Sequence, residues 1–209
     1  NYSKMNYLDF RQNWIELGCF NINQIYAWQQ DFDRNNLTRW VKKGLLIRLR
    51  QGLYTFPEYK SKSNFAYFFA NSMYKPSYIS LHTALSFYGI IPEAVVQITS
   101  VTSLKTAMFK NEFGDYSYKK IQNKLMFGYE LKPIEGGREI KFAKAEKALL
   151  DLLYLYSFYN TEQDIVDLRL DEDFIHNELD VDLLKTFSSQ FQNKALETRL
   201  NKLFNVYDL

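Results

Sequence analysis

Apolar positions recur along this chain with two different periods, and the places where one gives way to the other divide it into elements. Over residues 5–17, Leu8, Trp14, Ile15 and Leu17 supply a helical pattern that Gly18 stops. Asn21 or Asn23 can cap a short second helix through Tyr26, Ala27 and Trp28, and Asp31 or Asp33 can start a third that ends at Gly44. At about 100° per residue, Leu37, Trp40 and Val41 of that third helix share one arc, while Asn35, Thr38, Arg39 and Lys42 share the opposite one. The period then drops to two. Leu45, Ile47 and Leu49 alternate with Leu46, Arg48 and Arg50, which predicts a half-buried strand carrying its cations outward. Arg50, Gln51 and Gly52 make a turn, and residues 53–56 return as a second strand closed by Pro57.

Residues 58–64 (EYKSKSN) are polar and aperiodic, which predicts a boundary between an amino-terminal unit, 1–57, and a second unit, 63–209. The second unit reads as helices over 64–74 and 80–88, then strands over 95–103, 116–121, 126–131 and 139–143. A strong helix over 144–158 follows, with Ala145, Ala148, Leu149, Leu152, Leu153 and Tyr156 as its buried stripe and Lys147 four residues before Asp151. The tail is acidic and then helical, with Leu183, Leu184, Phe187 and Phe191 at helical spacing. The predicted class is α+β. Three helices and a hairpin stand in the order of a winged helix-turn-helix, followed by a small, mostly antiparallel sheet flanked by helices.

Charge sharpens this picture more than composition does. The 209 residues are 46% hydrophobic and 24% charged, and no apolar run approaches the ~18 residues of a membrane span. The lone Cys19 and the lack of a basic-then-apolar leader predict a reducing, cytoplasmic setting. The formal net charge of +2 divides into +4 over residues 1–57, +4 over 58–157 and −6 over 158–209. From Arg34 to Arg50 there are six cations and no acid. Such a stretch suits a polyanion. Arg34, Arg39, Lys42 and Lys43 are candidates for phosphate contacts and Asn35, Asn36 and Thr38 for base edges, with helix 33–43 in a major groove. Arg48, Arg50 and Gln51 would bring the hairpin, 45–56, onto the neighbouring backbone as a wing.

Three stretches, KKGLLIRLRQGLY (42–54), YISLHTALSFYGIIPE (78–93) and AKAEKALLDLLYLY (143–156), occur in this order. Together they resemble the AbiE-type antitoxins of bacterial abortive-infection systems, over roughly residues 5–200. The resemblance implies an amino-terminal domain that binds inverted repeats in its own promoter and represses the operon. It also implies a carboxy-terminal antitoxin domain that opposes a nucleotidyltransferase-like toxin without a stable complex. The acidic 158–182 segment has no clear counterpart in that family.

Other chemistry finds little support. His82, His176 and Cys19 are too few and too scattered for a zinc site, and no cofactor is expected. The carboxylates at Asp31/Asp33, Asp171–Asp173 and Asp180/Asp182 follow no Gly-Ser pair of the kind that precedes them in nucleotidyltransferases, and they read as a helix cap and solvated faces. Glu139 and Lys141 could be half of a magnesium nuclease strand, but the nearest upstream acid is Asp115. No phosphate-cradling glycine motif appears, so the reading is non-enzymatic. Tyr67, Phe68, Phe69, Tyr154, Tyr156, Phe158 and Tyr159 fit a core or dimer surface better than a base-stacking platform. The alternative reading is a protein- or RNA-interaction module that neutralises such a toxin, with the winged helix as scaffold.

Overall fold

The computed structural model describes residues 5–209, so the first four positions of the 1–57 unit lie outside the described residues. Helix α1 (Tyr7–Trp14) starts at Asn6, whose Oδ1 accepts from the Asp9 amide at 2.9 Å, and a 3-10 turn (Ile15–Leu17) leads to Gly18. Strand β1 (Cys19–Asn21) follows, and at three residues it is too short for alternation to reveal. Asn21 then caps α2 (Ile22–Trp28) in a capping box with Gln24. Helix α3 (Asn35–Lys42) leads through Gly44 to strands β2 (Ile47–Arg50) and β3 (Leu53–Thr55). Because β1 pairs with β3, the expected two-stranded hairpin is part of a three-stranded antiparallel sheet, order β1-β3-β2. Leu46, placed outward by the alternation, is buried, because it still belongs to the turn closed on the Trp40 carbonyl. Phe10 lies at the centre, with the rings of Trp14, Phe20, Phe32, Trp40 and Phe56 around it.

The polar stretch after Pro57 is structured. Pro57–Ser61 forms a 3-10 helix, and buried Tyr59 donates its hydroxyl hydrogen to the Ile15 carbonyl. Beyond it come α4 (Phe65–Met73), β4 (Ser77–Ile79), α5 (Leu81–Phe87), β5 (Gln97–Thr102), β6 (Ala107–Asn111), β7 (Gly114–Lys120), β8 (Tyr129–Ile134) and β9 (Arg138–Ala143). They build a six-stranded mixed sheet, order β6-β7-β5-β4-β9-β8. The β5/β7 and β4/β9 pairs are parallel and the other three neighbours antiparallel. Strands β4 and β6 add two members that the hydrophobic pattern did not announce. β4 is short and buried on both faces, so it has no alternation to read.

Helix α6 (Ala145–Leu155) is buried over almost its whole length. It carries a charged pair into the core. The Lys147 ammonium donates to Asp151 Oδ1 and, at 2.8 Å, to the Tyr78 hydroxyl, while Tyr78 and Ser80 each donate to Asp151 Oδ2 at 2.8 Å. The rings of Phe127 and Phe191 face the ammonium, with centroids 5.0 and 4.9 Å away. Burial lowers the Lys147 pKa and raises that of Asp151. Glu146, in the first turn of α6, accepts from the Asp180 amide at 3.0 Å and so ties this helix to the start of the acidic tail's third helix.

The acidic tail folds into α7 (Glu162–Asp167), α8 (Glu172–Asn177), α9 (Val181–Phe191) and α10 (Lys194–Tyr207). Asp171 and Asp180, taken for solvated carboxylates, are the caps of α8 and α9, each accepting a backbone amide at 2.8 Å. Among the described residues no helix is long and apolar enough to cross a membrane. The whole is a mixed α+β structure.

Candidate nucleic-acid interface

Helix α3 is held at both ends and along one face. Asp33 Oδ1 accepts from the Asn35 amide at 2.9 Å at its start. At its end Gly44, at φ +69°, donates to the Val41 carbonyl, and the Leu45 amide reaches back to Trp40, which is a Schellman closure. Leu37 and Trp40 are buried, Trp40 with its ring centroid 4.7 Å from that of Phe10. That anchoring leaves Arg34, Thr38 and Lys42, four residues apart, as an outward stripe.

Strand β2 meets this stripe. Ile47 and Leu49 enter the core, so Arg48 and Arg50 point the other way, with a bulge between them. Arg34, Thr38, Arg48, Arg50 and Gln51 border a cleft of about 960 Å³. It extends into a smaller hollow of about 210 Å³ bounded by Thr38, Lys42, Arg48 and Tyr54. The turn at the tip of the hairpin is fixed, because the Gly52 carbonyl accepts from the Ile22 amide at 3.1 Å.

The far wall comes from the larger sheet. The Arg50 guanidinium lies 5.5 Å from the Phe109 ring centroid, Asn111 Nδ2 donates to the Leu49 carbonyl at 3.1 Å, and Lys110 lines the cleft. Lys110 is paired with Asp115 at 3.1 Å, but its side chain is 82% exposed. Phe109, Lys110 and Tyr54 were not legible as site residues. Tyr54 lies on β3 of the hairpin itself, whereas Phe109 and Lys110 reach the cleft through a sheet edge more than 60 residues downstream of α3, and no local pattern encodes that contact.

Six of the ten residues proposed from sequence line the cleft or its hollow: Arg34, Thr38, Lys42, Arg48, Arg50 and Gln51. Asn35 and Lys43 are exposed on an adjacent face of α3. Two assignments change. Asn36 is buried one turn before Trp40 and accepts from the Arg39 guanidinium, so its amide does not face a base. Arg39 is also paired with Asp33 at 3.3 Å, an acid just before the acid-free stretch.

The alternative sites come apart in three dimensions. Glu139 and Lys141 are exposed on β9, and Asp115 on β7 lies three sheet steps away, about 14 Å across the sheet alone, and towards its opposite end, so no nuclease constellation forms. His82 is half-buried with its ring edge to Tyr156. Among the described residues no three His, Cys, Asp or Glu side chains converge as a metal site would require. No protein-family model matches the chain, and no curated protein matches it significantly.

Proposed function

We propose that residues 1–57 form a winged helix-turn-helix that binds double-stranded DNA. In this reading α3 enters the major groove, and the β2–β3 hairpin lies along the adjacent backbone. The observation that carries it is the joint cationic cleft, in which Arg34 and Lys42 of one helix face Arg48 and Arg50 of one strand. Cations from two elements at a groove edge neutralise successive phosphates, while Thr38 and exposed Asn35 sit where a base edge would be read. Four such phosphate contacts would make log affinity fall with log salt with a slope of about −3.6.

Together with the three stretches that resemble AbiE-type antitoxins, this gives a non-enzymatic, cytoplasmic autorepressor of a toxin–antitoxin operon. Its promoter carries inverted repeats, and residues 63–209 oppose a nucleotidyltransferase-like toxin. The test is fluorescence anisotropy of the protein with its own upstream DNA against random duplex. Preference for the upstream DNA with steep salt dependence is the expected result. Equal, shallow binding to both duplexes overturns the repressor reading.

A further inference from the structure

A second cleft, of about 370 Å³, lies away from the first and is lined by Thr106, Lys119, Lys120, Tyr156, Ser157 and Phe158. Its floor is the carboxyl end of the parallel pair β5/β7. There the Ile121 amide donates to the Thr102 carbonyl at 2.8 Å, and the Lys120 amide to Thr106 Oγ1 at 3.3 Å. The cleft is separated from the DNA-facing one by the length of β6, since Lys110 is near one end of that strand and Thr106 precedes the other. Over four residues that is about 14 Å.

The two walls differ in chemistry. On one side Lys119 and Lys120 are in no ion pair among the described residues, and the Lys119 ammonium is held 5.8 Å from the Tyr156 ring centroid. On the other side Phe158 is 63% exposed, next to Ser157. Single exposed apolar side chains are ordinary on a protein surface, but here the exposed aromatic faces a cationic wall across one cleft, and so offers a flat stacking surface within reach of two lysines. An apolar partner helix would leave two lysines unmatched, whereas a phosphate with a planar base would match both walls.

The turn that presents Phe158 is rigid. Tyr159 and Asn160 donate to the Tyr156 and Phe158 carbonyls at 3.2 and 2.8 Å. Asp164 Oδ2 accepts from the Asn160 and Thr161 amides at 3.0 and 2.7 Å, and the Lys202 ammonium donates to the Asn160 carbonyl. The Phe158 ring also packs on Tyr159, centroid to centroid 4.4 Å. A platform fixed in this way loses little conformational freedom when a flat ring stacks on it.

We propose that this cleft binds a nucleotide, with its phosphate on Lys119 and Lys120 and its base against Phe158. The volume lies within the range small ligands occupy. The same chemistry is offered by a free nucleoside triphosphate and by one nucleotide of a single-stranded RNA. This inference does not rest on the duplex-DNA reading.

The test uses the full chain with two probes, methylanthraniloyl-labelled GTP and ATP, and a fluorescein-labelled octa-uridine RNA, at about 0.15 M salt. At least one probe is expected to bind. Phe158→Ala should weaken it about tenfold, as loss of one base stack does, and Lys119→Glu with Lys120→Glu should weaken it at least as much. Binding of the labelled triphosphates alone identifies a free nucleotide as the ligand, and binding of the RNA alone identifies a strand. Should the charge-reversed protein not fold, Phe158→Ala carries the test, because its ring is mostly exposed. Failure of both probes, or equal binding by parent and Phe158→Ala, overturns the proposal.

Discussion

Asn36 and Thr38 are two residues apart on α3 and face opposite ways. Both are small and polar, and both looked suited to a base edge. What separates them is the turn to Trp40, which carries Asn36 to the buried side and leaves its carbonyl oxygen as an acceptor for Arg39. Arg39, shared between Asn36 and Asp33, has less free charge to offer a phosphate than Arg48 or Arg50. Under the DNA reading, Arg48→Ala with Arg50→Ala is therefore expected to flatten the salt slope by about two, and Arg39→Ala by less than one. Anisotropy between about 50 and 200 mM salt measures both, and equal slopes per residue would reject the ranking. Deeper in the chain, the Lys147–Asp151 pair illustrates the penalty of removing one partner of a buried pair. Lys147→Met strands a carboxylate in the core and should cost about 3–5 kcal/mol in urea unfolding. Adding Asp151→Asn should recover most of that, because an amide oxygen still accepts from Tyr78 and Ser80. A double variant no more stable than the single one would mean that the charge is not the cause.

At the level of elements, the sequence announced what periodicity and caps can encode. The stripe on α6, the Asn21 cap of α2 and the Gly44 stop of α3 are local, so they could be read. Strands β1 and β4 are three residues long and depend on partners far away in the chain. A short strand acquires its identity from pairing, which no local window contains. The same reason hid Phe109 and Lys110. Among the helices, α5 carries a testable titration. Burial against Tyr156 lowers the His82 pKa below its usual 6.5, and nearby Glu93 only partly opposes this. A depressed histidine folds best neutral, so its contribution is complete above about pH 6.5 and is lost as pH falls through the lower folded value. Denaturation midpoints of the parent should therefore drop more between pH 7 and 5 than those of His82→Gln. Parallel pH profiles would show that the ring is not desolvated.

Over the whole molecule, the buried side chains from Phe10 in α1 to Tyr207 in the last helix form one continuous cluster across the polar 58–64 segment that the sequence predicts as a boundary. Gly18, at φ +77°, brings the chain so close to the larger unit that a Cβ there would lie 2.9 Å from the Phe68 ring and 3.0 Å from Arg138 Nε. Arg138 in turn donates to the Glu16 carbonyl and lies over the rings of Tyr59, Phe65 and Phe68. A seam of this kind couples the two parts energetically, because opening it exposes aromatic surface on both sides. The distribution of chromophores lets this be measured without a label. Trp14, Trp28 and Trp40 are the only tryptophans and all precede residue 58, so their fluorescence reports the amino-terminal part alone, whereas far-ultraviolet circular dichroism reports every helix. Coincident urea transitions by the two probes are expected, and Gly18→Ala should lower the common midpoint. Fluorescence that changes well before circular dichroism would mean that the cluster gives way at residues 58–64 and that the amino-terminal part unfolds on its own.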